Sequence, residues 1–399
     1  MATIGSDRPE SARDEDAACG IDSAEKPTDQ GADCRHMALY AGTRSFDDVF
    51  SLDHMVTAGR KCCNGVRWKT STIAFENDRL HRCYLAQKAL REDTRKFKRF
   101  HTFYTIEHGK CRQINALDID DRMMQKCLVR YCMRDAMVPS LIADNSASLP
   151  GRGMDYAIKR LKKHLHDHYR KHGTAGGIYQ YDFHSYFASI PHDGIKAYAH
   201  ECITDQKVAD ILCSFVDDFN KIPGCEPGRG VGLGSEISQP IALYYASCLD
   251  HYIKDRLGIH GYGRYNDDGY VISNSLMELA EIRNDVHRIT SEIGIEINKK
   301  KDIITPFRHH SFRFLKLRIR LTESGRIVMK LSRQSVRGCK RKITRFREEY
   351  ASGNMNYDDI YASYQSWRSY AEKFNSCKTV QSMNRYFYAT IRKEDTNSV

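Results

Sequence analysis

Two adjacent aspartates within strand-forming sequence constrain the fold of this chain more than any other feature. The segment Tyr262–Ile272 is rich in residues typical of β-strands, and Asn266–Gly269 predicts the tip of a hairpin. Asp267 and Asp268 lie within that tip, where two carboxylates repel each other unless a cation neutralises them. Their oxygens suit Mg²⁺. Asp-Asp-Gly is also an ordinary turn sequence, so these two aspartates alone are weak evidence for a metal site. A further carboxylate nearby would strengthen the interpretation.

A third carboxylate follows a separate strand-like segment. The apolar run Ile178–Phe183 carries Asp182 near its end. If this strand lies beside the hairpin, Asp182, Asp267 and Asp268 could together hold two metal ions about 3.5–4 Å apart. A centre of that kind serves phosphoryl transfer, which depends on positioning and charge neutralisation.

The remaining patterns alternate between helical and strand periodicity. The predicted helices are Leu52–Lys61, Leu80–Arg91, Met123–Met133, Tyr156–His172, Ile241–Leu257, Leu276–Ile293 and the chain after Ser335. The other predicted strand pairs are Phe100–Ile106 with Lys110–Ile114, and Phe312–Leu321 with Arg326–Lys330. This mixture of hairpins and helices predicts an α+β fold.

The net charge of +11 is distributed unevenly. Residues 1–35 contain nine acidic and four basic residues with little apolar content, which predicts a disordered acidic tail. The rest of the chain is therefore strongly basic, which favours a polyanionic partner such as nucleic acid. We expect a cytoplasmic protein, because no stretch approaches the ~20 apolar residues that span a bilayer and no secretory leader is evident. The 14 cysteines include no C-x-x-C pair, which favours reduced thiols over a zinc site.

Six motifs resemble those of the reverse transcriptase family and occur in that family's order. Asp182–Ile190 is similar to the family's first catalytic motif, and Tyr265–Asp268 is similar to its Tyr-x-Asp-Asp box. The other four matches are Lys110–Arg112 with Asp121 and Arg122 in the fingers, Gly230–Gln239 at the template and nucleotide, Gly294–Lys301 after the box, and Phe314–Leu317 at the primer-grip turn. The C-terminal part also resembles the thumb of small stand-alone prokaryotic members, including retron, diversity-generating and defence-associated types.

This resemblance implies a right-hand polymerase. After the tail at 1–35, fingers would span 36–177, a palm of antiparallel sheet and helices 178–320, and a helical thumb 321–399. The implied activity is RNA-directed DNA synthesis with two Mg²⁺ ions, for which Mn²⁺ can substitute. The implied partners are an RNA template, deoxynucleotide triphosphates and a DNA product, with no membrane and with the oligomeric state open. Small members of the family pair with a structured non-coding RNA, so a dedicated RNA in an antiphage or retroelement-derived system is expected.

The resemblance also assigns roles to individual residues. The catalytic and metal-binding set is Asp182, Phe183 through its backbone carbonyl, Asp267, Asp268 and Lys301. The nucleotide-binding set is Lys110, Arg112, Phe187 and Gln239. The primer and template set is Gly234, Ser238, Tyr265, Asn266, Phe314, Leu315 and Lys316.

Several of these roles have structural alternatives. Lys301 would protonate the leaving pyrophosphate, but Lys299 and Lys300 are adjacent candidates. The ring of Phe187 would clash with a ribose 2′-hydroxyl and so favour deoxynucleotides as substrates. The alternative is that Phe187 is an aromatic residue of the hydrophobic core. Tyr265 packs against a primer end or in the core. Lys110 and Arg112, which the resemblance assigns to nucleotide binding, could instead be solvated charges on the protein surface.

Two further features remain open. His164, His168 and His172 share one face of a predicted helix, for which we favour a solvated basic face over a metal site. Residues 316–345 contain eleven Lys or Arg and one acidic residue, Glu323. Apolar positions alternate among these cations, so one strand face could pack while the other follows a nucleic-acid backbone, or is simply solvated.

Three functions are consistent with these patterns. The first is cDNA synthesis on a dedicated RNA. The second is untemplated or protein-primed DNA synthesis by the same site. The third is a non-catalytic RNA-binding protein on a polymerase scaffold, which the intact set Asp182, Asp267 and Asp268 argues against.

Overall fold

The computed structural model describes residues 44–107 and 110–391, so the predicted acidic tail at 1–35 lies outside the described residues. Helices alternate with antiparallel sheets, which confirms the predicted α+β class. Within the described part, no helix combines the length and apolar content that a membrane crossing requires.

The N-terminal region is a group of helices with one long hairpin. Its elements are α1 (Phe46–Val49), α2 (Leu52–Cys62), α3 (Thr70–Asn77), α4 (Arg79–Arg91), β1 (Phe100–Glu107), β2 (Lys110–Leu117), α5 (Ile119–Leu128) and α6 (Arg134–Met137). Ser51 caps α2 by accepting a hydrogen bond from the amide of His54. The buried side chains of Met55 on α2 and Met123 on α5 belong to the core of this region. The hairpin pairs Phe100 with Leu117, so β2 is longer than predicted.

The central region holds a four-stranded sheet. Its elements are α7 (Met154–His172), β3 (Gly177–Asp182), α8 (Tyr186–Ser189), α9 (His192–Cys202), α10 (Gln206–Asp218), α11 (Ser238–Tyr245), α12 (Ser247–His251), β4 (Tyr262–Tyr265), β5 (Asp268–Ser273), α13 (Leu276–Glu292) and β6 (Ile303–Pro306). The strand order is β4-β5-β3-β6, with antiparallel pairs throughout. Nearly all of β3 is buried, as expected for a strand covered on both faces.

The C-terminal region is a three-stranded sheet followed by three helices. Its elements are β7 (Phe312–Phe314), β8 (Leu317–Leu321), β9 (Ile327–Leu331), α14 (Arg333–Ala351), α15 (Tyr357–Glu372) and α16 (Cys377–Thr390). The single strand that periodicity predicted over Phe312–Leu321 was wrong, whereas the turn that the resemblance implied at Phe314–Leu317 is present. Leu315 and Lys316 have φ angles of 46° and 66°, and two successive left-handed residues make a tight turn that separates β7 from β8.

The two sheets share one hydrophobic core. Ile178 and Tyr270 from the central sheet pack with Phe314 and Ile319 from the C-terminal sheet, and Leu161 brings α7 into the same core. The helices α14–α16 have a second core, where the ring of Tyr364 stacks on Phe387 at 4.2 Å. The expected boundary at residue 320 therefore falls inside β8, within a sheet that packs on the central region.

The prediction of a solvated histidine face was wrong for two of the three histidines. His164 and His168 are 6% and 8% exposed, because α7 turns this face toward the sheets. His164 Nδ1 lies 3.0 Å from the Tyr270 hydroxyl, and its Nε2 lies 3.4 Å from Asp144. Burial lowers the pKa of His164 to about 4, although Asp144 opposes the shift.

This buried histidine makes stability depend on pH. The folded-state pKa of His164 lies below the ordinary value of 6.5, so the unfolded chain binds the proton first as the pH falls. We expect the free energy of unfolding to drop by about 2–3 kcal/mol between pH 7 and pH 4.5 from this group. Urea unfolding of His164→Gln should lack this component, whereas His166→Gln, an exposed position on the same helix, should follow the wild type. Parallel pH profiles for wild type and His164→Gln would contradict the assignment.

Candidate active site

The hairpin that carries the aspartate pair has a shorter turn than the predicted Asn266–Gly269. Tyr265 pairs with Asp268, which leaves Asn266 and Asp267 as a two-residue turn between β4 and β5. Asn266 has a φ of 54°, a left-handed conformation that asparagine tolerates better than most residues. The amide of Phe183 donates to the carbonyl of Asp267 at 3.1 Å. This bond holds the tip against the end of β3.

The pairing of β3 with β5 brings the three predicted carboxylates together. Asp182 lies directly opposite Asp268, and ligand oxygens of Asp182, Asp267 and Asp268 lie within 4.8 Å of one another. The amide group of Asn298 donates to Asp182 at 3.0 Å. Lys301 donates to Asp182 and, at 3.3 Å, to Asp268. The geometry therefore brings together the predicted carboxylate set and adds Asn298.

The electrostatics of this cluster indicate a deficit of positive charge. Burial raises the pKa of Asp268 to about 7; Lys301 opposes this shift and the neighbouring carboxylates add to it. Burial and the charge of Asp182 also raise the pKa of Asp267. Partial burial would lower the pKa of Lys301, but Asp268 and Asp182 outweigh it and raise that pKa. Three hard carboxylates facing one ammonium fit divalent cations such as Mg²⁺.

A buried arginine supports the hairpin tip from behind. Arg264 is 1% exposed, and its guanidinium donates to both oxygens of Asp250, at 2.7 and 2.6 Å. It also donates to the carbonyls of Asn266 at 2.9 Å and Leu243 at 2.8 Å. Sequence reasoning missed this residue. The available signal was a charged residue inside an otherwise apolar strand next to the aspartate pair.

The structure places only some of the residues predicted to bind the nucleotide near the carboxylate cluster. Arg112 is exposed on β2, and its charge lowers the pKa of Asp267 against the larger effect of burial, which indicates proximity. The side chain of Lys110 lies outside the described residues. Phe187 on α8 is half-buried, with its ring edge-on to Tyr186 at 6.0 Å.

Of the three predicted residues in the Gly230–Gln239 segment, Ser238 and Gly234 shape the loop, whereas Gln239 bonds to a residue outside it. Gln239 is exposed and accepts a hydrogen bond from Ser148 at 2.8 Å. The buried hydroxyl of Ser238 donates to the carbonyl of Gly232 at 2.7 Å. Gly234 has a φ of 107°, and a Cβ there would lie 3.1 Å from the carbonyl of Asn115. Ser238 and Gly234 therefore hold the loop in shape and against β2.

The other residues predicted to contact the primer or template lie in or beside two turns. Tyr265 is half-buried and packs against the shared core. The side-chain oxygen of Asn266 is buried and, among the described residues, has no hydrogen-bond partner. Phe314 is buried edge-on to Tyr270 at 5.2 Å. Leu315 and Lys316 form the tight turn that follows it.

The sequence profile of the family described as "Reverse transcriptase (RNA-dependent DNA polymerase)" matches residues 96–319. That span includes the three clustered aspartates, Lys301 and the turn at Leu315. A comparison with curated protein sequences finds no match.

Proposed function

Because this chain belongs to the reverse transcriptase family, we propose that it is an active RNA-directed DNA polymerase of the small stand-alone prokaryotic type. The observation that carries the proposal is the cluster of Asp182, Asp267 and Asp268, whose ligand oxygens lie within 4.8 Å of one another. A scaffold that only bound RNA would gain nothing from three mutually repelling carboxylates. The retained cluster therefore favours catalysis.

The chemistry follows from the charges of the site. Two Mg²⁺ ions, or Mn²⁺, bound there would activate a primer 3′-hydroxyl and stabilise the leaving pyrophosphate. Asp182, Asp267 and Asp268 supply carboxylate oxygens, and Phe183 at the end of β3 supplies its carbonyl. Lys301 holds its proton next to these groups, which supports it over Lys299 and Lys300 as the donor to pyrophosphate.

Substrates are held by the elements around the carboxylates. In this proposal Arg112 and Lys110 bind the triphosphate, Phe187 excludes the ribose 2′-hydroxyl and Gln239 contacts the nucleotide or template. The primer and template lie against the segments of Gly234 and Ser238, of Tyr265 and Asn266, and of Phe314, Leu315 and Lys316. The unpaired side-chain oxygen of Asn266 supports a polar contact with the primer end.

The division into fingers, palm and thumb is part of the same proposal. The packing of α7 and of the β7–β9 sheet on the central sheet supports a palm that runs from Met154 to Leu331. The fingers then precede Met154, and α14–α16 with their separate core form the thumb.

The template we propose is a dedicated structured non-coding RNA in an antiphage or retroelement-derived system. The net charge of +11 supports a polyanionic partner. A cytoplasmic location belongs to this proposal, and no disulfide joins the cysteines of the described residues, as expected for a reducing compartment.

The test is incorporation of labelled deoxynucleotides by the protein purified with its bound RNA, in the presence of Mg²⁺. We expect a DNA product whose sequence is complementary to the co-purified RNA. A product unrelated to that RNA would indicate untemplated synthesis, and a product that partitions with protein after nuclease-free phenol extraction would indicate protein priming. Failure of the wild type to incorporate deoxynucleotides on either its own RNA or an added primer–template would refute the enzymatic proposal.

The choice of sugar tests the role of Phe187. Phe187→Ala removes the ring that would meet a ribose 2′-hydroxyl, so we expect the ratio of ribonucleotide to deoxynucleotide incorporation to rise by about 10- to 100-fold. Competing single-nucleotide extension reactions measure this ratio. Tyr186→Phe serves as the control, because Tyr186 is buried and its hydroxyl donates to the carbonyl of Ala242. An unchanged ratio in Phe187→Ala would assign Phe187 to the core.

A further inference from the structure

The loop at residues 144–148 is fixed to the strand that leads to the aspartate turn. The amide of Arg264 on β4 donates to the carbonyl of Asp144 at 3.1 Å, and the amide of Ser146 donates to the carbonyl of Arg264 at 3.0 Å. Residues 144–147 are buried. The position of this loop is therefore set by the same strand that carries the hairpin tip.

Ser148 is the exposed end of this loop. It lies between buried Ala147 and Leu149 and has a φ of 50°, a left-handed conformation that serine rarely adopts. Arg152 fixes the segment by donating to two of its carbonyls, at 3.1 and 2.6 Å. The hydroxyl of Ser148 donates to the side-chain oxygen of Gln239 at 2.8 Å. Strained backbone of this kind persists where the surrounding structure holds it, and it is common at functional sites.

Gln239 is itself held close to the carboxylates, because it lies in the first turn of α11. The guanidinium of Arg264 and the hydroxyl of Tyr186 both donate to carbonyls of this helix, at 2.8 and 2.6 Å. Within the described chain, no acceptor engages the nitrogen of the Gln239 side-chain amide. Because Ser148 occupies the oxygen, the exposed amide presents its NH₂ group to a ligand.

We propose that Ser148 is a positioning residue, which holds the side-chain amide of Gln239 so that its NH₂ group donates to an acceptor atom of the incoming nucleotide. A free amide can turn either end toward a ligand, and only one end donates. By occupying the oxygen, the hydroxyl of Ser148 selects the donating orientation before the nucleotide binds. This role of Ser148 rests on the proposed function, in which Gln239 contacts the nucleotide or the template. A template base offers the same acceptor chemistry and is the competing source.

The first arm of the test measures nucleotide binding without turnover, on a complex with a fluorescent, dideoxy-terminated primer–template in Mg²⁺. Retention of this duplex as the complementary deoxynucleotide triphosphate is added gives the dissociation constant of the nucleotide. For Ser148→Ala we expect that constant to rise by about three- to tenfold, as for the loss of one hydrogen bond, with unchanged affinity for the duplex alone. Ser148→Asn keeps a donor and suits a left-handed backbone, so it should stay within about twofold of the wild type. Weaker duplex binding with unchanged nucleotide binding would overturn the choice of the nucleotide and assign the acceptor to the template.

The second arm asks whether Ser148 acts through Gln239. Gln239→Ala should weaken nucleotide binding at least as much as Ser148→Ala, and the double variant should be no weaker than Gln239→Ala alone. Ser146→Ala is the matched control, because its hydroxyl donates to the carbonyl of Asp144 at 3.3 Å within the same loop. We expect this control to bind the nucleotide like the wild type. Additive losses from Ser148→Ala and Gln239→Ala, or an equal loss in Ser146→Ala, would make Ser148 a structural residue of the loop only.

Steady-state kinetics give a readout that a structural role alone would not move. We expect Ser148→Ala to raise the KM for deoxynucleotides by about the same three- to tenfold while kcat stays within about twofold, since the lost contact serves binding. A lower kcat with unchanged KM would indicate fewer folded molecules and would contradict the positioning role. An inactive wild type that still binds the nucleotide would refute the proposed catalysis and leave the binding result for Ser148 valid, whereas a wild type that binds no nucleotide would refute both.

Discussion

Replacing Asp267 and Asp268 together with asparagine is expected to lower deoxynucleotide incorporation by about 10³-fold or more while leaving the fold intact. Asparagine keeps the size of each side chain but removes the charge that binds divalent cations, and such a centre contributes several kcal/mol to the transition state. The same change removes repulsion among carboxylates whose pKa values burial has raised. We therefore expect the variant to unfold at the same temperature as the wild type or higher.

Two measurements separate loss of chemistry from loss of structure. Mg²⁺ should raise the unfolding temperature of the wild type but have little effect on the variant, because a ligand stabilises only the folded state that binds it. Asp210→Asn, on the exposed surface of α10, is the control and should match the wild type in incorporation and in Mg²⁺ response. Incorporation near the wild-type level in the double variant would show that these carboxylates do not hold the catalytic ions.

The sequence predicted the carboxylate cluster because its members have strong local signals. Asp182 ends an apolar strand, and Asp267 lies in a turn between two segments of β-forming residues, so pairing of the strands was enough to bring them together. The register of β4 against β5 was harder to predict. Asp268 is the first residue of β5 and does not belong to the turn. A shift of one residue moves every side chain to the other face, and only packing decides it.

The wrong predictions concern residues whose contacts come from distant parts of the sequence. His164 lies on a helix with many cations, so its own segment predicts solvent exposure. Its burial depends on Tyr270 and Asp144, which are brought to it by other elements. Strand periodicity also missed the turn at Leu315, because a leucine with positive φ carries no turn signal and is held by the surrounding core. Only the family resemblance at Phe314–Leu317 predicted this turn.

Substitution of Arg264 is expected to reduce both the stability of the fold and the rate of incorporation, and a second substitution can separate the two effects. Arg264→Met leaves the carboxylate of Asp250 buried and without its bidentate partner, so the free energy of unfolding should fall by about 3–5 kcal/mol. The same change removes the donor to the carbonyl of Asn266, the residue before Asp267. Incorporation should therefore fall as well, and the Mg²⁺ concentration needed for half-maximal activity should rise.

A compensating substitution tells the two effects apart. Asp250→Asn added to Arg264→Met removes the uncompensated charge, and its side-chain oxygen can still accept the hydroxyl of Tyr262. We expect urea unfolding to show most of the lost stability restored in this pair. Activity and Mg²⁺ dependence should stay impaired, because nothing replaces the hydrogen bond to Asn266. Recovery of both stability and activity would make Arg264 a stabilising residue only, whereas recovery of stability alone identifies it as the residue that positions the aspartate turn.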